Sequence, residues 1–80
     1  MKDLLTYLVK ALSERPDEIA IDEKSEGSLV SFTVRVPQPE MGRVIGKAGK
    51  TARAIRVLVN TVAYRNNKRA NVEFQEEGNA

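Results

Sequence analysis

Residues 42–51 read Gly42-Arg43-Val44-Ile45-Gly46-Lys47-Ala48-Gly49-Lys50-Thr51, and this run holds the residue types most suited to chemistry. Two glycines stand three apart with a lysine between them, and a second lysine follows at once. Glycine has no Cβ, so Gly46 and Gly49 let the backbone turn tightly and bring its N–H groups close to a ligand. The helical pattern that starts after them aims its unpaired N–H groups and positive dipole end at the same spot, which favours phosphate. Lys47 and Lys50 add charge there, and Arg43 does so from one helical turn earlier. The Thr51 hydroxyl can donate to the same phosphate or cap the helix. By itself the four-residue pattern also fits an ordinary turn between helices with glycine as a C-cap. What surrounds the loop therefore carries the weight.

The charge is placed for a polyanion. Residues 41–72 hold eight cations (Arg43, Lys47, Lys50, Arg53, Arg56, Arg65, Lys68, Arg69) and no carboxylate, whereas residues 1–40 are net acidic. A solvated helix face also accounts for a charge run, but this one is centred on the glycine loop. The chain has no cysteine and no histidine, which excludes disulfides, zinc sites built on those ligands, thiol nucleophiles and histidine acid–base chemistry. Glu18 and Asp22 fall in the acidic half with no base foreseen beside them, so no enzymatic constellation emerges near the loop and the reading is of a non-enzyme. The rival motif is a nucleotide-binding P-loop ending in Gly49-Lys50-Thr51. It requires glycine where Val44 stands, and a larger parallel sheet than 80 residues provide.

The elements that must hold this loop follow from hydropathy. Residues 2–14 predict an amphipathic helix with Leu4, Leu5, Leu8, Val9 and Leu12 on one stripe, stopped by Pro16. Residues 18–23 predict a strand and 24–27 a turn. In 29–36, Val30, Phe32, Val34 and Val36 alternate with Ser31, Thr33 and Arg35, predicting a strand with one buried face. Pro39-Glu40-Met41 opens a short helix running into the loop. A long helix is expected over 50–64, ended by Asn66-Asn67. Residues 70–75 predict a last strand with Val72 and Phe74 inward, and 76–80 a frayed tail. Neither a signal peptide nor a membrane span is legible, and a cysteine-free chain suits the cytoplasm. The expectation is one α+β domain over 1–80, in the order α-β-β-α-α-β.

This order, with Gly-Arg-Val-Ile-Gly-Lys-x-Gly-Lys-Thr between the two central helices and Ala54-Ile55-Arg56 after it, resembles the type II (prokaryotic) KH domain. The resemblance covers nearly the whole chain and is closest to the small single-domain bacterial KH proteins of the KhpA type. It implies a three-stranded sheet packed on helices, and a single-stranded RNA whose backbone is gripped by the loop while bases lie in an apolar groove. Carried onto this chain, the RNA-binding residues would be Arg43, Val44, Ile45, Gly46, Lys47, Ala48, Gly49, Lys50, Thr51 and Arg53. Groove walls would come from Val44, Ile45, Ala52 and part of the 29–36 strand. Val44 and Ile45 equally suit the core. Ala48 departs from the pattern, since many KH loops have glycine or a basic residue there. The resemblance further implies an RNA chaperone or post-transcriptional regulator without cofactor. Its implied partner is a second KH protein of the KhpB (Jag or EloR) type, with a link to cell elongation, shape and division.

The long helix is expected to bury Ala52, Ile55, Val59 and Val62. A second apolar stripe, Ala54, Val57, Leu58, Thr61 and Tyr64, turns partly away. It is either a helix-to-helix dimer interface or a surface covered by the N-terminal helix. An interaction subunit whose function lies in that stripe is therefore the alternative to RNA binding. Four aromatics (Tyr7, Phe32, Tyr64, Phe74) are too few and too inward for an open stacking sheet.

Overall fold

Strict alternation makes residues 29–37 the middle of the molecule. In the computed structural model, which describes residues 1–77, Leu29–Pro37 forms the central strand β2 of a three-stranded sheet. Val30, Phe32, Val34 and Val36 are buried against helices, and Ser31, Thr33 and Arg35 face the other way. Ala20–Glu26 (β1) pairs antiparallel with β2, from Ala20 opposite Arg35 to Glu26 opposite Leu29. Only Gly27 and Ser28 link them, with Gly27 at a positive φ of 60° that suits the first place of a two-residue hairpin loop. Arg69–Glu77 (β3) pairs parallel with β2, Val30 opposite Ala70 and Val34 opposite Phe74. A parallel neighbour requires a crossover, and the crossover holds the glycine loop.

The helices cover one face of the sheet. Lys2–Leu12 (α1) buries Leu5 and Val9, while Leu12 is left exposed. A single 3₁₀ turn at Pro16–Glu18 then leads to the buried Ile19 and into β1. A second at Gln38–Glu40 precedes Met41–Ile45 (α2), and a third at Lys47–Gly49 precedes Lys50–Arg65 (α3). α3 buries Ala52, Ile55, Val59 and Ala63. These join Leu5, Val9, Phe32, Val44 and Val72 in one core.

The order is the expected one, and several boundaries move. α1 stops at Leu12 instead of residue 14. β1 is shifted to 20–26, because the hairpin loop is two residues long and Lys24-Ser25-Glu26 belong to an edge strand whose polar side chains stay in water. On α3 the stripe expected to end at Val62 ends at Ala63, with Val62 half-buried. β3 includes Glu76 and Glu77, which were expected in the tail, and the rest of that tail lies outside the described residues. Phe74 is half-buried instead of core.

Candidate nucleic-acid interface

The loop owes its shape to three residues with positive φ. Gly46 ends α2 at φ 77°, ψ 175°, a region essentially restricted to glycine. Ala48 sits at φ 56°, ψ 27°, and Gly49 at φ 74°, ψ 13°, both left-handed. Gly49 is the N-cap of α3, and no side chain caps that helix. A Cβ on Gly46 would lie 2.2 Å from Thr51 Oγ1 and 2.9 Å from the Thr51 backbone nitrogen. Thr51 is therefore packed against the backbone of Gly46 and makes no capping hydrogen bond. Gly49 has open space where its Cβ would be, so it is needed for its φ alone. Ala48, the departure from the usual pattern, holds a left-handed conformation with a side chain present, at a cost of about 1–2 kcal/mol.

The cations around the loop divide into two groups. Lys47, Lys50 and Arg53 are exposed, and none takes part in an ion pair among the described residues. Arg43 is different. Its Nη2 lies 3.0 Å from Glu14 Oε2 and its Nε 3.8 Å from Glu40 Oε2, so the loop's expected fourth cation is already shared with two acids. Of the four cations expected at the loop, Arg43 is thus the one already paired within the fold. Glu40 is the buried charged residue beneath it, only 4% exposed. Its Oε1 accepts hydrogen bonds of 2.7 Å from Ser13 Oγ and 2.7 Å from the Glu14 backbone N–H. The Ser13 hydroxyl first, and then the Glu14 amide, hold the Glu40 carboxyl below the usual carboxylate range, and Arg43 and Arg15 act the same way against the opposing effect of burial. Glu40 thus ties the chain after α1 to the start of α2. The two acids foreseen without a base beside them are in fact partnered, Glu18 with Arg15 and Asp22 with Arg35. A guanidinium stays protonated, so neither pair is an acid–base device.

Two further placements differ from the expected groove. Val44 is fully buried and Ala52 nearly so; they support the loop from beneath and offer no surface to a ligand. Ile45 is half-buried and sits at the loop. The wall beside the loop is built instead by α3 and the open edge of β3. Ala70 donates its backbone N–H to Asn60 Oδ1 at 3.1 Å, and the Val72 carbonyl accepts from Arg56 Nε at 3.1 Å. Both groups point away from β2, and the two-residue repeat turns the amide and carbonyl of Phe74 the same way. The Arg56 guanidinium lies 5.6 Å from the centre of the Phe74 ring. Sequence reasoning left Arg56 out of the site. Its signal was the spacing Arg53-x-x-Arg56, which places both side chains on one flank of the helix.

The second stripe of α3 is open. Val57 is 59%, Leu58 47% and Tyr64 82% exposed, and Ala54 and Thr61 are exposed beside them, so α1 does not cover it. Thr61 turns its hydroxyl back to the Val57 carbonyl at 2.8 Å and so presents its methyl outward. Near the loop, Lys50, Arg53, Ala54, Val57 and Leu58 line a shallow depression of about 480 Å³.

A family model described as KhpA/KhpB, KH domain, matches residues 2–74. The chain is 42% identical to the RNA-binding protein KhpA of Chlamydia pneumoniae over 77 residues, covering 96% of this chain and 99% of that one. It is 38% identical to the RNA-binding protein KhpA of Clostridium acetobutylicum, over 92% and 99% of the two chains. With the RNA-binding protein KhpA of Listeria monocytogenes serovar 1/2a the identity is 36%, over 95% and 100%. No solved structure matches the chain significantly. The α-β-β-α-α-β order, the glycine loop between α2 and α3 and these full-length likenesses agree: the chain belongs to the KhpA/KhpB KH-domain family and has the type II KH fold.

Proposed function

We propose that this protein binds single-stranded RNA in the cytoplasm, as a chaperone or post-transcriptional regulator and not as an enzyme, gripping the backbone with the Gly46–Gly49 loop. The observation that carries the reading is the uncapped N-terminus of α3 opening behind a left-handed glycine, with Lys47, Lys50 and Arg53 around it and in no ion pair among the described residues. Phosphate is the ligand this arrangement suits, because backbone N–H groups and the helix dipole act together with the lysines. The relatives' name, RNA-binding protein, points the same way. The test is fluorescence anisotropy of a short single-stranded RNA at low and moderate salt, with wild type and a Lys47→Asp/Ala48→Asp variant side by side. Salt-dependent binding by wild type alone supports the clamp. Equal binding by both removes the loop from the site.

The open stripe Ala54, Val57, Leu58, Thr61, Tyr64 supports a second role as a helix-to-helix interface. Four of these, Ala54, Val57, Thr61 and Tyr64, are spaced three, four and three apart, the seam spacing of paired helices. The occupant is a second copy of the chain or a KH protein of the KhpB type, the route by which an elongation or division complex would be built. Pairing also places two loops on one strand and raises a weak single-site affinity through effective concentration.

A further inference from the structure

We infer that Arg56 is the specificity-determining residue of the interface, selecting bases that present two adjacent acceptors on one edge, cytosine and guanine, over adenine and uracil. The inference rests on the reading that the loop holds the RNA backbone.

Arg56 leaves the flank of α3 one turn after Arg53 and crosses to the open edge of β3. Two contacts fix it there. Its Nε donates to the Val72 carbonyl at 3.1 Å, and its guanidinium lies over the Phe74 ring at 5.6 Å. Asn60 braces the same place, donating Nδ2 to the Arg56 carbonyl at 3.0 Å and accepting from the Ala70 N–H. A guanidinium has five N–H donors in a rigid plane and no acceptor. Val72 uses one. The remaining four lie on the two terminal nitrogens, and among the described residues no carboxylate pairs with them. The side chain itself is exposed. The wall therefore presents a pre-oriented fork of donors with its rotamer freedom already reduced.

Such a fork reads a base by what the base offers in pairs. Guanine presents O6 and N7 side by side, and cytosine presents O2 and N3. Adenine flanks each of its outer acceptors with the amino group, and uracil flanks its carbonyls with N3–H, so either one leaves a donor facing a donor. Purely structural duty, closing the edge of β3, would need only the Nε contact and would give no base preference. Selectivity separates the two roles.

The experiment is anisotropy with three six-nucleotide RNAs, oligo-C, oligo-A and oligo-U, on wild type, Arg56→Gln, Arg56→Lys and the loop variant Lys47→Asp/Ala48→Asp, with circular dichroism as the check of folding. Wild type should prefer oligo-C to oligo-A by about tenfold, the discrimination of one good bidentate contact. Both Arg56 variants should bring the ratio close to one, including Arg56→Lys, which keeps the charge and loses the fork. A ratio unchanged in folded Arg56→Gln, or retained by Arg56→Lys, overturns the inference. So does a wild type that binds all three alike or none. If the loop variant binds as tightly as wild type, the loop reading fails. The ratio still reports on Arg56.

Discussion

Gly46→Ala is the substitution on which the account of the loop depends most. Two costs add. The backbone at φ 77°, ψ 175° lies in a glycine-only region, which costs a residue with a Cβ about 1–3 kcal/mol. The new methyl would also stand 2.2 Å from Thr51 Oγ1, 2.6 Å from its Cβ and 2.9 Å from its backbone nitrogen, and overpacking of this kind costs about 1–3 kcal/mol more. Together they come to roughly 4 kcal/mol, against a total stability of about 4–12 kcal/mol for a chain of this length. Gly49→Ala is the control: open space surrounds its Cβ, so only the left-handed penalty of about 1–2 kcal/mol applies. Urea unfolding followed by circular dichroism measures both. The Thr51→Ala change should rescue Gly46→Ala poorly, because Cβ and the backbone nitrogen remain, whereas Thr51→Gly should rescue more. The reasoning is refuted if Gly46→Ala costs no more than Gly49→Ala, or if the two Thr51 backgrounds rescue it equally.

Other outcomes follow from the same geometry. Val44→Ala should destabilise by about 2 kcal/mol in urea titrations while leaving RNA affinity of the folded protein unchanged, since Val44 is fully buried. With Lys47, Lys50 and Arg53 as the phosphate ligands, log affinity against log salt should have a slope near −2, about −0.7 for each cation, and Arg53→Gln should make it shallower by about 0.7. Because the Glu40 carboxyl is held below the usual range, its stabilisation is complete above that range and is lost as pH falls through the lowered value. The melting temperature of Glu40→Gln should accordingly lie below that of wild type near neutral pH, with the gap narrowing as pH falls below the usual carboxylate range; a constant gap would show that the charge is irrelevant. Leu58→Asp should convert any dimer seen by size-exclusion mass measurement to monomer, and a wild type already monomeric removes the α3 seam as an interface.

What was legible in the sequence was what repeats locally. The alternation of Val30, Phe32, Val34 and Val36 fixed the central strand, because a two-residue period with one apolar face has few other solutions. Gly46 and Gly49 stood out because both occupy conformations that other residues avoid. The misplacements arise where distant chain segments decide. α1 ends early where Ser13 and Glu14 are held by Glu40, 27 and 26 positions away. Arg43 looked like a loop cation until Glu14 and Glu40 were brought beside it. Arg56 looked like one more solvated cation until β3 folded back alongside α3. Lys24-Ser25-Glu26 has the composition of a turn, yet pairing with β2 and lack of burial make it strand.

The parallel pairing of β2 with β3 also governs how the loop comes into being. Each hydrogen bond between those strands closes a connection that contains α2, the loop and α3. The closure entropy of that long connection is spent before the pairing rewards it. The left-handed turn at Gly46–Gly49 lies inside that connection, and an excised helix–loop–helix peptide lacks the β3 wall that carries Val72 and Phe74. On the proposed reading, occupancy of the loop and completion of the fold are therefore linked. An RNA bound there would stabilise the entire sheet by a free energy set by its concentration relative to its dissociation constant.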